Sequence, residues 1–260
     1  MRIFIASLLI LFFSLNSFSQ TTHLTDGPYV FYENGEVYVR SVVYKDGGYH
    51  PALDSFPEKQ KVRHIITVHC QDHPDWDFTV RLRKKIVTPP AISRTHRKAR
   101  VFVLSDIEGE FKPFRELLLA AKVIDKNYHW TFGKGKLIIA GDLFDRGRQV
   151  SQYLWLLYKL EDEAAAKKGE VHVVLGNHDI MNLSGDFRYV EPEYSNDARL
   201  MGKEYKDLYG SNTELGRWLR SKNIIENING LLVMHAGLSS AILSEQKTVA
   251  ALNRVRPFSC

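Results

Sequence analysis

The sequence predicts an α/β protein, with a mainly parallel sheet covered by helices and a small β-rich appendage before it. Two observations predict this. From Arg100 onward, short runs of Val, Ile and Leu alternate with segments of helical periodicity, the pattern of βαβ units. The acidic and histidine-bearing motifs all fall directly after such runs, and ligands of open α/β sheets gather beyond the carboxyl ends of strands.

The elements follow in order. Met1-Arg2, a nearly continuous apolar run over 3–13 and the small residues Ser17 and Ser19 read as a signal peptide over 1–19, with Gln20 as the expected first mature residue. The apolar run is shorter than the roughly 20 residues a membrane span needs, so export to the periplasm or beyond is expected, without stable membrane insertion. Residues 20–98 are read as the β appendage. Segments 29–32 and 37–43 flank Asn34-Gly35 as a hairpin, 62–70 and 78–82 are further strands, and 88–100 is a linker. Residues 99–260 form the main domain. It has strands at 101–104, 137–140, 171–175 and 231–234, and helices at 111–123, 150–168 and 213–222. A polar insert, 182–211, carries Arg188, Tyr189, Tyr194 and Arg199 and is the expected recognition surface.

Four motifs carry chemistry. Gly141-Asp142-Leu143-Phe144-Asp145-Arg146-Gly147 places two carboxylates and a guanidinium on a glycine-bounded turn, able to hold a metal and a phosphate together. Asp106 and Glu108 offer hard oxygen donors one residue apart; taken alone, they equally suit a helix N-terminus. Gly176-Asn177-His178-Asp179 supplies an amide oxygen and an imidazole. His235 follows an apolar strand, a position where a lone histidine is usually structural. The intervals are 36 residues from Asp106 to Asp142, 35 to Asn177 and 58 to His235, each long enough for a helical crossover. Four metal-competent strand ends in one chain favour a two-metal phosphate-ester site.

At these residues the chain resembles the calcineurin-like metallophosphoesterases, in particular the phosphoprotein-phosphatase branch and its bacterial Shewanella-like relatives, over roughly residues 101–239. The resemblance implies a β-sandwich of two mixed sheets flanked by helices. It also implies two divalent ions, Mn, Fe or Zn. Asp106, Glu108 and Asp142 would hold the first and Asp142, Asn177 and His235 the second. His178 would protonate the leaving group with Asp145 orienting it, Arg146 would grip the phosphoryl oxygens, and a metal-bound hydroxide would attack. Glu108 stands where the family commonly has histidine, which implies a shift toward harder metals such as Mn. No histidine follows His235, so the family's last ligand has no counterpart in this sequence and the sandwich is expected to be short at its C-terminal side.

The function expected is therefore hydrolysis of a phosphomonoester on a small molecule or phosphopeptide. The alternatives are a dinucleoside polyphosphate or nucleotide hydrolase and a non-catalytic binding domain. A formal charge of +5 over 260 residues, with no long Lys/Arg run, argues against a nucleic-acid polymer as partner. Two cysteines, Cys70 and the terminal Cys260, make no disulfide framework.

Overall fold

A computed structural model describes residues 26–70 and 73–254; the expected signal peptide and Cys260 lie outside the described residues. The chain opens as an antiparallel meander of β1 (Asp26–Glu33), β2 (Glu36–Lys45) and β3 (Gly48–Pro57). Asn34-Gly35 and Asp46-Gly47 make its two turns, all four residues at positive φ, as the two-residue hairpin turn that matches strand twist requires. The third strand has no signature in the sequence. It is largely exposed and carries Pro51 and Pro57, which an edge strand tolerates because one row of its N–H groups has no partner.

Strand β1 is almost wholly buried because it is covered on several sides. Trp155 Nε1 donates to Pro28 O at 2.8 Å, and Tyr32 N donates to Asn212 O at 2.8 Å. Next come β4 (Ile65–Val68) and β5 (Phe78–Arg81), an antiparallel pair. The stretch read as a linker contains a two-residue strand, β6 (Ile92–Ser93).

The main unit begins with β7 (Val101–Leu104), α1 (Phe111–Ala120), β8 (Lys136–Ala140), α2 (Val150–Ala166) and β9 (Glu170–Val174). The three strands form a parallel sheet in the order β7-β8-β9, with Val103 opposite Ile138 and Ile138 opposite His172. The polar insert and the residues before it are helical: α3 (Asn177–Ser184), α4 (Pro192–Leu200) and α5 (Tyr205–Leu208). Tyr194, Ala198, Met201, Tyr205 and Leu208 are buried and recur at alternating intervals of four and three, a helical period set within an otherwise polar segment. Then follow α6 (Glu214–Arg220), capped by Thr213 accepting from Gly216 N, β10 (Ile225–Ile228), β11 (Leu231–Met234), α7 (Ser240–Ser244) and α8 (Val249–Asn253).

The fourth motif strand does not lie in the parallel sheet. β11 pairs antiparallel with β10, which pairs parallel with β6, in a second sheet of order β11-β10-β6. Ile138, Val174, Ile228 and Val233 pack between the two sheets. A larger apolar cluster runs from Tyr29 to Leu219, joining side chains from both sides of residue 98. Among the described residues, no helix is long and apolar enough to cross a membrane.

Candidate active site

The site forms where the ends of β7, β8 and β9 meet the end of β11. β7 and β8 each stop in a turn of unusual backbone. Asp106, Glu108, Asp142, Asp145 and Arg146 all have positive φ, between 48° and 74°. Such conformations cost about 1–3 kcal/mol each for residues with a Cβ, and they persist where surrounding contacts over-determine them. Here the contacts are backbone bonds between adjacent turns. Asp106 N donates to Gly141 O, Glu108 N to Asp142 O, and Gly147 N to Glu108 O at 2.7 Å.

Two glycines permit this convergence. A Cβ at Gly141 would lie 2.8 Å from the His235 Cβ, and one at Gly176 would lie 2.1 Å from Asp142 Oδ1. Asp179, fully buried, ties the same loops together. It accepts from Gly176 N at 2.7 Å, Leu143 N at 2.7 Å and Asp142 N at 3.1 Å. Burial pushes its carboxyl up to about 7 against the pull of its backbone donors. Its sequence signal was its place three residues after Gly176, where an acid caps the first turn of a helix.

The sequence-predicted residues come together in two overlapping groups. Ligand atoms of Asp106, Asp142 and His235 lie within 4.8 Å of one another, as do those of Glu108, Asp142 and His178. Asp142 belongs to both. His235 arrives from the second sheet, its Nδ1 donating to Ala140 O at 2.8 Å. That bond fixes the tautomer and turns Nε2 toward Asp142 Oδ2, 3.0 Å away. Asn177 is exposed at the first residue of α3, beside His178. The donor set suits divalent cations: three carboxylates and two imidazoles converge, and a cation would offset the carboxylate charge.

Beside these groups, His178 Nδ1 donates to Asp145 Oδ2 at 2.6 Å with both side chains buried. Asn182 Nδ2 donates to Asp145 Oδ1 at 2.9 Å and to His178 O at 3.0 Å. Tyr205 OH donates to Asn182 Oδ1 at 2.8 Å. Asn182 and Tyr205 had no signal in the sequence, since both sit in the polar insert among residues of similar type.

The structure adds two arrangements to these expectations. Glu108 and Arg146 were assigned to separate partners, a metal and a phosphoryl group. The structure joins them, with Arg146 Nη1 donating to both Glu108 carboxylate oxygens, and Glu108 holds the guanidinium above its ordinary pKa. The cause is the packing of their turns through the Gly147 N to Glu108 O bond, which sets opposite charges side by side. The insert divides between the rim of the site and the protein's interior. Tyr189 does approach His178, ring centroids 5.1 Å apart, with Arg188 beside it. Tyr194, however, is buried and bonds Val150 N and Gly147 O, while Arg199 donates to Asn196. A groove of about 410 Å³ next to Arg146 is lined instead by His73 and Trp76 of the appendage with Lys112 and Arg148.

Comparison with known proteins agrees with this geometry. The chain is 35% identical to the cold-active protein-tyrosine phosphatase of a psychrophilic Shewanella species, with a TM-score of 0.77 over 89% of this chain and 67% of that one. It is 37% identical to Shewanella-like protein phosphatase 2 of Arabidopsis thaliana over 98 residues, 38% of this chain and 25% of that protein. It is 31% identical to a symmetrical bis(5'-nucleosyl)-tetraphosphatase of Chromobacterium violaceum over 140 residues, 53% of this chain and 43% of that protein. The chain thus spans less than half the length of these two curated relatives. The calcineurin-like phosphoesterase domain family matches residues 99–259, which contain every motif described above. This chain belongs to the calcineurin-like phosphoesterase family.

Proposed function

We propose that this chain carries the catalytic site of a metal-dependent phosphatase that hydrolyses phosphomonoesters, exported from the cytoplasm. The observation that carries the reading is the sharing of Asp142 between two ligand groups, with the buried His178–Asp145 pair beside them. As the family resemblance implies, Asp106, Glu108 and Asp142 would hold one divalent ion and Asp142, Asn177 and His235 a second, with ligand atoms of Asp106, Asp142 and His235 within 4.8 Å of one another. Mn, Fe or Zn there would supply the Lewis acidity that activates water and offsets phosphoryl charge.

The chain's own residues supply the rest. Asp145 fixes the His178 ring through Nδ1, leaving Nε2 to deliver a proton to the departing oxygen. Arg146, whose side chain is 60% exposed, exchanges Glu108 for the phosphoryl oxygens of a substrate. Tyr189 over His178 and the groove at His73 and Trp76 suit a phosphorylated side chain on a peptide. The likeness to the Shewanella protein-tyrosine phosphatase supports the same choice.

The decisive experiment is hydrolysis of para-nitrophenyl phosphate by metal-stripped protein reloaded with Mn, Fe, Zn or Mg, beside Asp142→Asn. Metal-dependent turnover lost in the variant supports the reading; equal turnover in both sinks it, and no turnover from a folded, metal-loaded protein leaves a binding domain. The similarity to a tetraphosphatase favours a second reading, hydrolysis of dinucleoside polyphosphates. A higher kcat/KM for diadenosine tetraphosphate than for phosphotyrosine peptides would establish it.

A further inference from the structure

A cleft of about 520 Å³ lies at the seam between the appendage and the main unit, apart from every motif of the metal site. It is lined by Lys61, Lys84, Lys85, Arg217 and Arg220, with one acidic residue, Glu214. Thr88, Ser211 and Ser221 add hydroxyl groups. The cations come from three separate segments: the turn after β3, the stretch after β5, and α6.

Among the described residues no ion pair engages Lys61, Lys84, Lys85 or Arg217, whereas the charges of neighbouring residues are paired. Arg83, next in sequence, is held by Glu161 at 2.7 Å and Asp162 at 3.0 Å. Lys222, just past α6, pairs with the same Glu161. Glu214 is turned inward, 1% exposed. It accepts from Tyr158 OH at 2.5 Å through one oxygen and from Tyr32 OH through the other. Both of its oxygens are thus engaged by hydroxyl groups within the protein. Arg220 donates to the carbonyls of Tyr209 and Gly216, which orient its guanidinium. Arg217 and Lys61 both lie over the ring of Tyr32, at 4.1 and 4.9 Å from its centroid, so a shared aromatic surface positions these two cations. Lys84 and Lys85 are exposed at the mouth.

We infer that this cleft is a binding site for a ligand carrying two or more linked phosphates, distinct from the catalytic centre. A single oxyanion does not reach cations on three segments around a space of this size, whereas a polyphosphate chain does, and hydroxyl groups add donors suited to phosphoryl oxygens. The volume falls within the roughly 300–1,000 Å³ of small-molecule sites. The site is independent of the phosphatase reading, since none of its residues touches the metal-ligand groups.

The test is isothermal titration of metal-stripped Asp142→Asn protein, which removes turnover and metal-bridged binding, with pyrophosphate and with ATP. Saturable binding is expected, weakened at least tenfold by Lys84→Ala/Lys85→Ala, whose exposed positions leave the melting temperature unchanged. Arg217→Gln should weaken it similarly. Lys126→Ala/Lys134→Ala, which removes the same charge from another exposed surface, should leave it intact. Equal affinity for the two ligands assigns recognition to the phosphates; tighter ATP adds contacts to the nucleoside. Absence of saturable binding overturns the proposal. So does binding that survives Lys84→Ala/Lys85→Ala, or that falls equally in the remote control.

Discussion

Asp145→Asn tests the proton-donor assignment directly. The carboxylate accepts from His178 Nδ1 at 2.6 Å and Asn182 Nδ2 at 2.9 Å, and its side chain is almost wholly buried. An amide in its place can accept only through one atom. If its oxygen faces His178, its NH2 faces the NH2 of Asn182; if reversed, it faces the Nδ1 proton. Asn182 cannot flip without loss, because its NH2 also serves His178 O and its oxygen serves Tyr205. A hydrogen bond to a charged group contributes about 1.5–3 kcal/mol, so the histidine loses roughly 10- to 150-fold of its effectiveness as an acid. The assay compares kcat for phenyl phosphate with kcat for para-nitrophenyl phosphate, whose leaving group departs without protonation. The deficit should fall mainly on phenyl phosphate, with bound metal unchanged. Equal losses on both substrates would refute the assignment and leave Asp145 as a scaffold residue.

Other outcomes follow from the same geometry. Gly176→Ala drives a Cβ to 2.1 Å from Asp142 Oδ1, so bound metal and turnover should fall at least a hundredfold; metal analysis showing full occupancy would contradict this. Asp179→Ala strands three buried backbone N–H groups, at about 1–3 kcal/mol for each unsatisfied donor, and should lower the denaturation midpoint sharply. Asp26 is buried and its carboxyl is pushed up to about 7, by burial first and by Asp197 second. The folded state then keeps this proton to about pH 7 while the unfolded chain releases it near about pH 4, so stability declines as pH rises between those values. Asp26→Asn should therefore be more stable than the native chain at pH 8, by up to about 4 kcal/mol, and not at pH 4. Parallel denaturation curves at both pH values would exclude this.

The strand-helix alternation from β7 to β9 was legible because each strand reads as a run of Val, Ile and Leu, largely buried in the central β8, while α2 carries an unbroken apolar face. The Asn34-Gly35 hairpin was legible because its turn restricts residue type. β3 and β6 were not, since an exposed edge and a two-residue strand leave no period in the chain, while the helices of the insert carry one, at 194, 198, 201, 205 and 208, within a polar segment.

By itself the sequence singled out the candidate side chains and where they stand along the chain: Asp106, Glu108, Asp142, Asp145, Arg146, Asn177, His178 and His235 are all motif residues. Tertiary structure alone decided their company. It brought His235 to Asp142 from a second sheet, joined Arg146 to Glu108, and placed Asn182 and Tyr205 behind the His178–Asp145 pair. It also set His73 and Trp76 of the appendage beside Arg146. The reason is physical. Residue type and local period report what a segment can form and ligate, but which segments meet depends on burying apolar faces common to both sheets. That packing has no local signature.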